Sequence, residues 1–248
     1  MQRRTPVVTP YGGESETKKE QVGRMFDRIA RRYDVLNRLL SLGIDLYWRR
    51  KALRYLKNAP RPLEILDVAT GTADVAILAA EMLKPCRVVG IDIASQMLNI
   101  GREKVARKGL QDVITLQSGD AEQLHFADES FDAVTVAFGV RNFEHLEKGL
   151  AEIRRVLRPK GRVIILEFSH PTVAPFKQIY HLYFKYVLPV VGRLTSGDQR
   201  AYTYLYESVQ AFPQGNEFLD ILNKTGFKHL QCEQLTLGIC SIYTGVKG

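Results

Sequence analysis

Cysteine is scarce in this 248-residue chain, and the little there is carries no pattern: Cys86, Cys232 and Cys240 are an odd number with no CxxC or histidine-paired spacing. That argues against a disulfide framework and against a zinc site, so no metal is expected, and it fits a reducing cytoplasm. Long apolar runs are lacking too. The first twenty residues hold no apolar core of the roughly 7–15 residues that a secretory signal uses, and no run approaches the ~20 residues of a membrane span. Internal repeats and low-complexity tracts are absent. The expectation is a cytoplasmic protein, soluble or at most peripheral on the inner face of the cytoplasmic membrane.

Charge is also uneven. Residues 1–57 hold 14 Lys/Arg against 6 Asp/Glu, while residues 58–248 hold 21 of each, so the net charge of +8 belongs to the N-terminal segment. Such a segment suits an anionic membrane surface or nucleic acid; the plainer alternative is a solvated helix face. What the chain does have is apolar content, 45% of its residues, enough for one large core.

From residue 63 onward, short runs rich in Val, Ile and Leu alternate with helical patterns. LEILDVA, RVVGIDI, VITLQSGD, FDAVTVAF and RVIILEF read as strands buried on both faces. VAILAAEML, SQMLNIGREKVARKG and LEKGLAEIRRVLRP, the last ending at Pro159 and Gly161, read as the helices between them. The fold class that follows is α/β: a doubly wound, Rossmann-like sheet, mostly parallel, with right-handed crossovers. HLQCEQLT and ICSIYTGV at the end of the chain suggest an antiparallel addition. Upstream, Met25, Phe26, Ile29, Tyr33, Leu36 and Leu40 fall at helical spacing, which predicts a lid packed across the sheet. An aromatic stretch from Phe176 to Leu188 carries Lys177, His181 and Lys185 on one polar stripe.

Ligands of open α/β sheets bind beyond the carboxyl ends of the strands. At the end of the first strand stands 67-DVATGTADVA-76, where only Gly71 is a glycine, so the turn is not a dinucleotide GxGxxG. Asp92 ends the second strand, where a carboxylate can accept from two ribose hydroxyls, and Gly119-Asp120-Ala121 ends the third, suited to an adenine ring and its amino group. Either aspartate alone reads equally well as a turn residue; three acidic strand ends in register are harder to dismiss.

With the turn at Asp67 and the segment 151-AEIRRVLRPKGRVIILEF-168, the chain resembles class I S-adenosylmethionine-dependent methyltransferases. The segments 26-FDRIARRYDVLNRLLSLGIDLYWRR-50, 136-VAFGVRNF-143, 166-LEFSHP-171 and 202-YTYLYESVQAFP-213 narrow the resemblance to the ubiquinone and menaquinone biosynthesis C-methyltransferase family. It implies S-adenosyl-L-methionine as cofactor, held by Asp67, Gly71, Thr72, Asp92, Ile93, Asp120, Ala121 and Ala137. It implies a polyprenylated quinol as substrate, demethylmenaquinol or a methoxy-polyprenyl-benzoquinol, methylated at a ring carbon. Arg141 and Asn142 are the expected catalytic residues, with Tyr33, Asp34, Asn37, His170 and Tyr202 toward the substrate. The alternative for Arg141 is a surface ion pair with Glu144 or Glu147. Many members carry glycine where this chain has Thr70 and Ala73, and Ala73 does not easily reach φ > 0.

On this reading residues 1–20 form a flexible arm and 21–248 one methyltransferase domain. Its parts are a helical lid (21–57), a cofactor-binding core (58–170), a helical insertion facing substrate or lipid (171–212) and a closing helix and strands (213–248). Partners are the quinol, an anionic membrane surface and a second copy of the chain; nucleic acid is not expected. The rivals are a nicotinamide oxidoreductase, which the turn spacing disfavours, and a non-catalytic scaffold that binds lipid.

Overall fold

The computed structural model describes residues 8–12, 15–41, 43–59, 62–171, 174, 178, 182 and 199–248, without the side chains of Leu36, Leu39, Leu40, Gln199 and Tyr202. Lys177, His181, Lys185 and most of the aromatic stretch lie outside the described residues.

Two helices, α1 (Lys18–Leu40) and α2 (Asp45–Arg54), precede the alternating part of the chain. That part runs β1 (Leu63–Val68), α3 (Asp74–Met82), β2 (Cys86–Asp92), α4 (Ser95–Arg107), β3 (Ile114–Ser118), β4 (Phe131–Ala137), α5 (Leu146–Val156) and β5 (Leu157–Phe168). After it come α6 (Gln199–Ala211), α7 (Asn216–Lys224), β6 (Phe227–Leu235) and β7 (Cys240–Lys247). The seven strands are ordered β3-β2-β1-β4-β5-β7-β6. Strands β1 to β5 pair in parallel and β7 runs antiparallel between β5 and β6, as the sequence leads one to expect.

Successive residues of a strand face opposite sides, and the continuous apolar runs supply a core to each. Ile65, Val88, Ile164 and Leu166 pack under α2, α3 and α4, whereas Leu66, Val134, Val163 and Ile165 pack under α5 and α7 with Phe218 and Leu222. Because β1 has β2 on one side and β4 on the other, the crossovers leave β1 in opposite directions. A crevice opens at the carboxyl ends there.

One boundary differs from the expectation. The fifth helix stops at Val156 rather than at Pro159, because Leu157 already pairs with Phe131 of β4 and the next regular pair is Ala133 with Arg162. The intervening residues bulge, with Lys160 at φ 65°. A proline disfavours helical geometry in the residue before it, which suits an ending upstream of Pro159.

Helix α1 covers the crevice. Its Val22, Met25 and Ile29 pack against Ala201 and Tyr204 of α6, and its Ala30 against Ala94 and Met97 at the start of α4. The described part of the arm lies along it: the Tyr11 amide donates to Gln21, and the Tyr11 ring lies under the guanidinium groups of Arg24 and Arg28.

Candidate active site

The turn after β1 is built by alternating backbone hands. Ala69, Gly71 and Ala73 have φ of 54°, 57° and 65°. The left-handed positions are therefore 69, 71 and 73, and Thr70, expected to stand in for a glycine, is instead a side-chain partner of Asp67. Asp67 is 1% exposed, and its two oxygens accept from Thr70 (2.6 Å) and Thr135 (2.5 Å), so it holds the turn from beneath. Burial pushes its carboxyl up to about 6, against the two hydroxyls and Arg49, which favour the charged form.

Above the turn lies a cavity of about 680 Å³. Gly71, Asp92 and Ile93 line one side, and Asp120, Ala121 and Ala137 another. Asp92 accepts from the amides of Gly71 (2.8 Å) and Ala94 (2.9 Å), which leaves part of its carboxylate for a ligand. Burial raises its pKa, and these amides oppose the shift. Asp120 accepts from the ammonium of Lys19 at 2.6 Å and from the Glu122 amide at 2.9 Å. Burial would push Asp120 up, but Lys19 and that amide outweigh it and hold the carboxyl below the usual range. A positive charge from α1 thus sits over the third strand end, where the sequence suggests only a carboxylate.

A second cavity of about 510 Å³ adjoins the first, and Phe26 and Tyr33 of α1 line both. Their rings meet edge to face at 5.6 Å. Asn37, Arg141, Phe168 and Tyr204 complete its polar and aromatic walls. Asn142 lines the first cavity, and its carbonyl oxygen accepts from the Tyr204 hydroxyl at 3.0 Å, linking the two. Burial raises the phenol pKa of both Tyr33 and Tyr204.

Arg141 is 8% exposed. Its partner is neither Glu144 nor Glu147 but the fully buried Glu167 near the end of β5, at 2.5 Å from Nη1. Nη1 also donates to the Phe138 carbonyl at 2.6 Å, while Nε has no partner among the described residues. The guanidinium lies over Phe168, whose ring stacks on Phe138 with centroids 4.4 Å apart.

The remaining expected residues sit elsewhere. Thr72 donates to Asp34 at 2.6 Å, and Lys104 bridges Asp34, Thr72 and Asp74; together they tie α1 to the turn and line neither cavity. His170 contacts Gln214 through its backbone amide and its ring, away from both cavities. Tyr202 lies on α6, its side chain outside the described residues. Sequence reasoning missed Lys19, Glu167 and Tyr204. Glu167 could have been sought in the LEF run, since a carboxylate within an apolar strand calls for a buried partner.

A model of the ubiE/COQ5 methyltransferase family matches residues 14–247. The chain belongs to this family. A demethylmenaquinone methyltransferase of Bacteroides fragilis is 49% identical over 240 residues, covering 97% of each chain. A ubiquinone/menaquinone biosynthesis C-methyltransferase of Geotalea daltonii is 48% identical, covering 93% of this chain and 97% of its own. Among solved structures, a SAM-dependent methyltransferase from Thermotoga maritima aligns with a TM-score of 0.64 at 17% identity, over 91% of this chain and 99% of its own. The [4+2]-cyclase SpnF aligns with 0.66 at 17% identity, over 95% and 98%. At such identities the likeness speaks for the fold alone; it is the family that gives S-adenosylmethionine as the cofactor of this chain.

Proposed function

We propose that this chain transfers a methyl group from S-adenosyl-L-methionine to a ring carbon of a polyprenylated quinol, with demethylmenaquinol as substrate. The observation that carries the reading is the pair of adjoining cavities, one floored by the turn after β1, the other holding a buried guanidinium. The names of the relatives from Bacteroides and Geotalea supply the substrate class. Because the second relative is named for both pathways, a methoxy-polyprenyl-benzoquinol is the alternative.

The residues of the first cavity fit the cofactor. A Cβ added to Gly71 meets nothing within 4 Å, so the backbone there is open to a close approach. Asp92 and Asp120 keep acceptor capacity for hydroxyl and amino groups. When bound, S-adenosylmethionine supplies an electrophilic methyl group on a sulfonium.

The chain's own part is placement and charge. A quinol ring carbon becomes nucleophilic as its neighbouring hydroxyl ionises, and a phenol of pKa about 10 needs help to do so at neutral pH. Arg141 is proposed to hold that oxygen with its unpaired Nε edge, and its burial, 8% exposed, lets the contact count. Tyr33 and Tyr204, with pKa values raised by burial, stay protonated; Tyr33 is proposed to donate to the substrate, while the Tyr204 hydroxyl donates to Asn142. Met25, Ile29 and Phe168 exclude water and set the ring against the shared wall.

Peripheral membrane contact belongs to the same proposal. Val35 is 68% and Tyr47 49% exposed on the basic N-terminal helices, and no helix among the described residues is long and apolar enough to cross a membrane. Flotation with anionic vesicles at low salt tests it, and a chain left at the bottom of the gradient removes it. Self-association is proposed with it: light scattering should give the mass of two chains, and the mass of one removes the claim. The activity itself is tested with isotopically labelled S-adenosylmethionine and both quinols, followed by mass spectrometry of the lipid. Label on the ring carbon of the naphthoquinol is expected; label on neither lipid contradicts the reading.

A further inference from the structure

Glu167 is 0% exposed, and a carboxylate in such a place needs every acceptor position answered. Its Oε1 accepts from Arg141 Nη1 and from the Phe168 amide at 2.8 Å, and its Oε2 from the Arg141 amide at 3.3 Å. The strand end that carries Glu167 thus grips Arg141 by main chain and side chain together. With Nη1 committed to Glu167 and to the Phe138 carbonyl, the guanidinium plane has little freedom to turn. Its stack on Phe168 limits it further. The edge that remains, Nε with Nη2, makes no hydrogen bond among the described residues, and Arg141 lines the second cavity.

We infer that Glu167 is the positioning residue for Arg141: it fixes the Nη1 side of the guanidinium, presents the Nε edge to the hydroxyl of the bound quinol, and by its own charge sets how readily that hydroxyl ionises. The inference rests on the proposed quinol methylation. A guanidinium alone favours a nearby phenolate, and a carboxylate beside it withdraws part of that help. Replacing Glu167 by the neutral Gln keeps an acceptor for Nη1 and removes the negative charge, so the bound hydroxyl should ionise at lower pH. The other ionisable groups facing this pair are Lys18 and Tyr33 from α1, Arg49 from α2, Tyr204 from α6 and Cys240 from β7. Lys18 is pushed down to about 8 by burial and by Arg141, and it donates to the carbonyls of Arg141 and Phe143. It is present in every variant below, so the limb to read is the one that moves between them.

The test is the pH dependence of kcat at saturating S-adenosylmethionine with the quinol that the wild type turns over, for wild type, Glu167→Gln and Glu167→Asp. The rising limb of Glu167→Gln should move acidward by roughly one unit. Glu167→Asp keeps the charge but is one methylene short, so its limb should stay in place while kcat falls about tenfold or more across the range. A Glu167→Gln limb that coincides with the wild type overturns the inference, as does a uniform loss at every pH, which is what a merely structural role gives. Should Glu167→Gln not fold, Glu167→Asp decides together with its thermal stability: a lowered kcat with an unmoved limb in a variant as stable as the wild type supports the inference, and wild-type kcat at every pH, or a kcat loss that comes with a loss of stability, overturns it. Wild-type protein that methylates no quinol removes the functional reading, and the inference with it; turnover with an unmoved Glu167→Gln limb removes the inference only.

Discussion

Ala69 and Ala73 stand in a backbone region that costs an L-residue with a Cβ on the order of 1 kcal/mol relative to glycine. The surroundings make room for the methyl groups. A Cβ on Gly139 would lie 2.5 Å from the Ala69 Cβ, and one on Gly101 would lie 3.2 Å from that of Ala73. The alanines of the turn are thus matched by glycines at the end of β4 and on α4. Gly139→Ala should destabilise the protein by about 1–3 kcal/mol in chemical denaturation, and Ala69→Gly in the same chain should restore part of the loss. A double variant no more stable than Gly139→Ala would mean that the two methyl groups are not the cause.

At the scale of elements, α1 is fastened at three points to the loops it covers. Lys18 and Lys19 in its first turn reach the segment after β4 and Asp120 after β3. Asp27 accepts from the Gln96 amide at the start of α4 at 2.7 Å, and Asp34 meets Thr72 and Lys104. Lys104 carries the last point, because without it Asp34 and Asp74 repel each other. Lys104→Met should weaken S-adenosylmethionine binding roughly tenfold in a calorimetric titration, the effect of losing about 1.4 kcal/mol of charged hydrogen bonding. An unchanged Kd would show that α1 does not support the turn. These fastenings also explain what the sequence did and did not make legible. Strands read from Val, Ile and Leu runs, and the aspartates at their ends, need only local pattern. The Lys19–Asp120 and Arg141–Glu167 pairs join residues 101 and 26 positions apart, so only the fold reveals them. Glu144 and Glu147 looked like partners for Arg141 because they are near in sequence. The cofactor turn misled differently: Thr70 stood out as a missing glycine, but its backbone is ordinary and its hydroxyl is the useful part.

Over the whole molecule, the sheet order decides where chemistry can happen. Strands β1 to β4 end around one cavity, and β5 continues past β4 to bring Glu167 and Phe168 beside a second. Helices α1 and α6, from opposite ends of the chain, close that second space with Tyr33 and Tyr204. The antiparallel β7 backs β5 along its length and places Ser241 opposite Glu167. The buried guanidinium of Arg141, in the wall of the second cavity, is proposed to hold the charge that develops on the substrate. Single-turnover kinetics of Arg141→Lys at saturating cofactor test it most directly, since lysine keeps a cation for Glu167 but lacks the Nε edge. The expected result is a rate lower by about 100-fold, the order lost with one preorganised donor, with S-adenosylmethionine affinity unchanged. A turnover equal to that of the wild type would contradict the account.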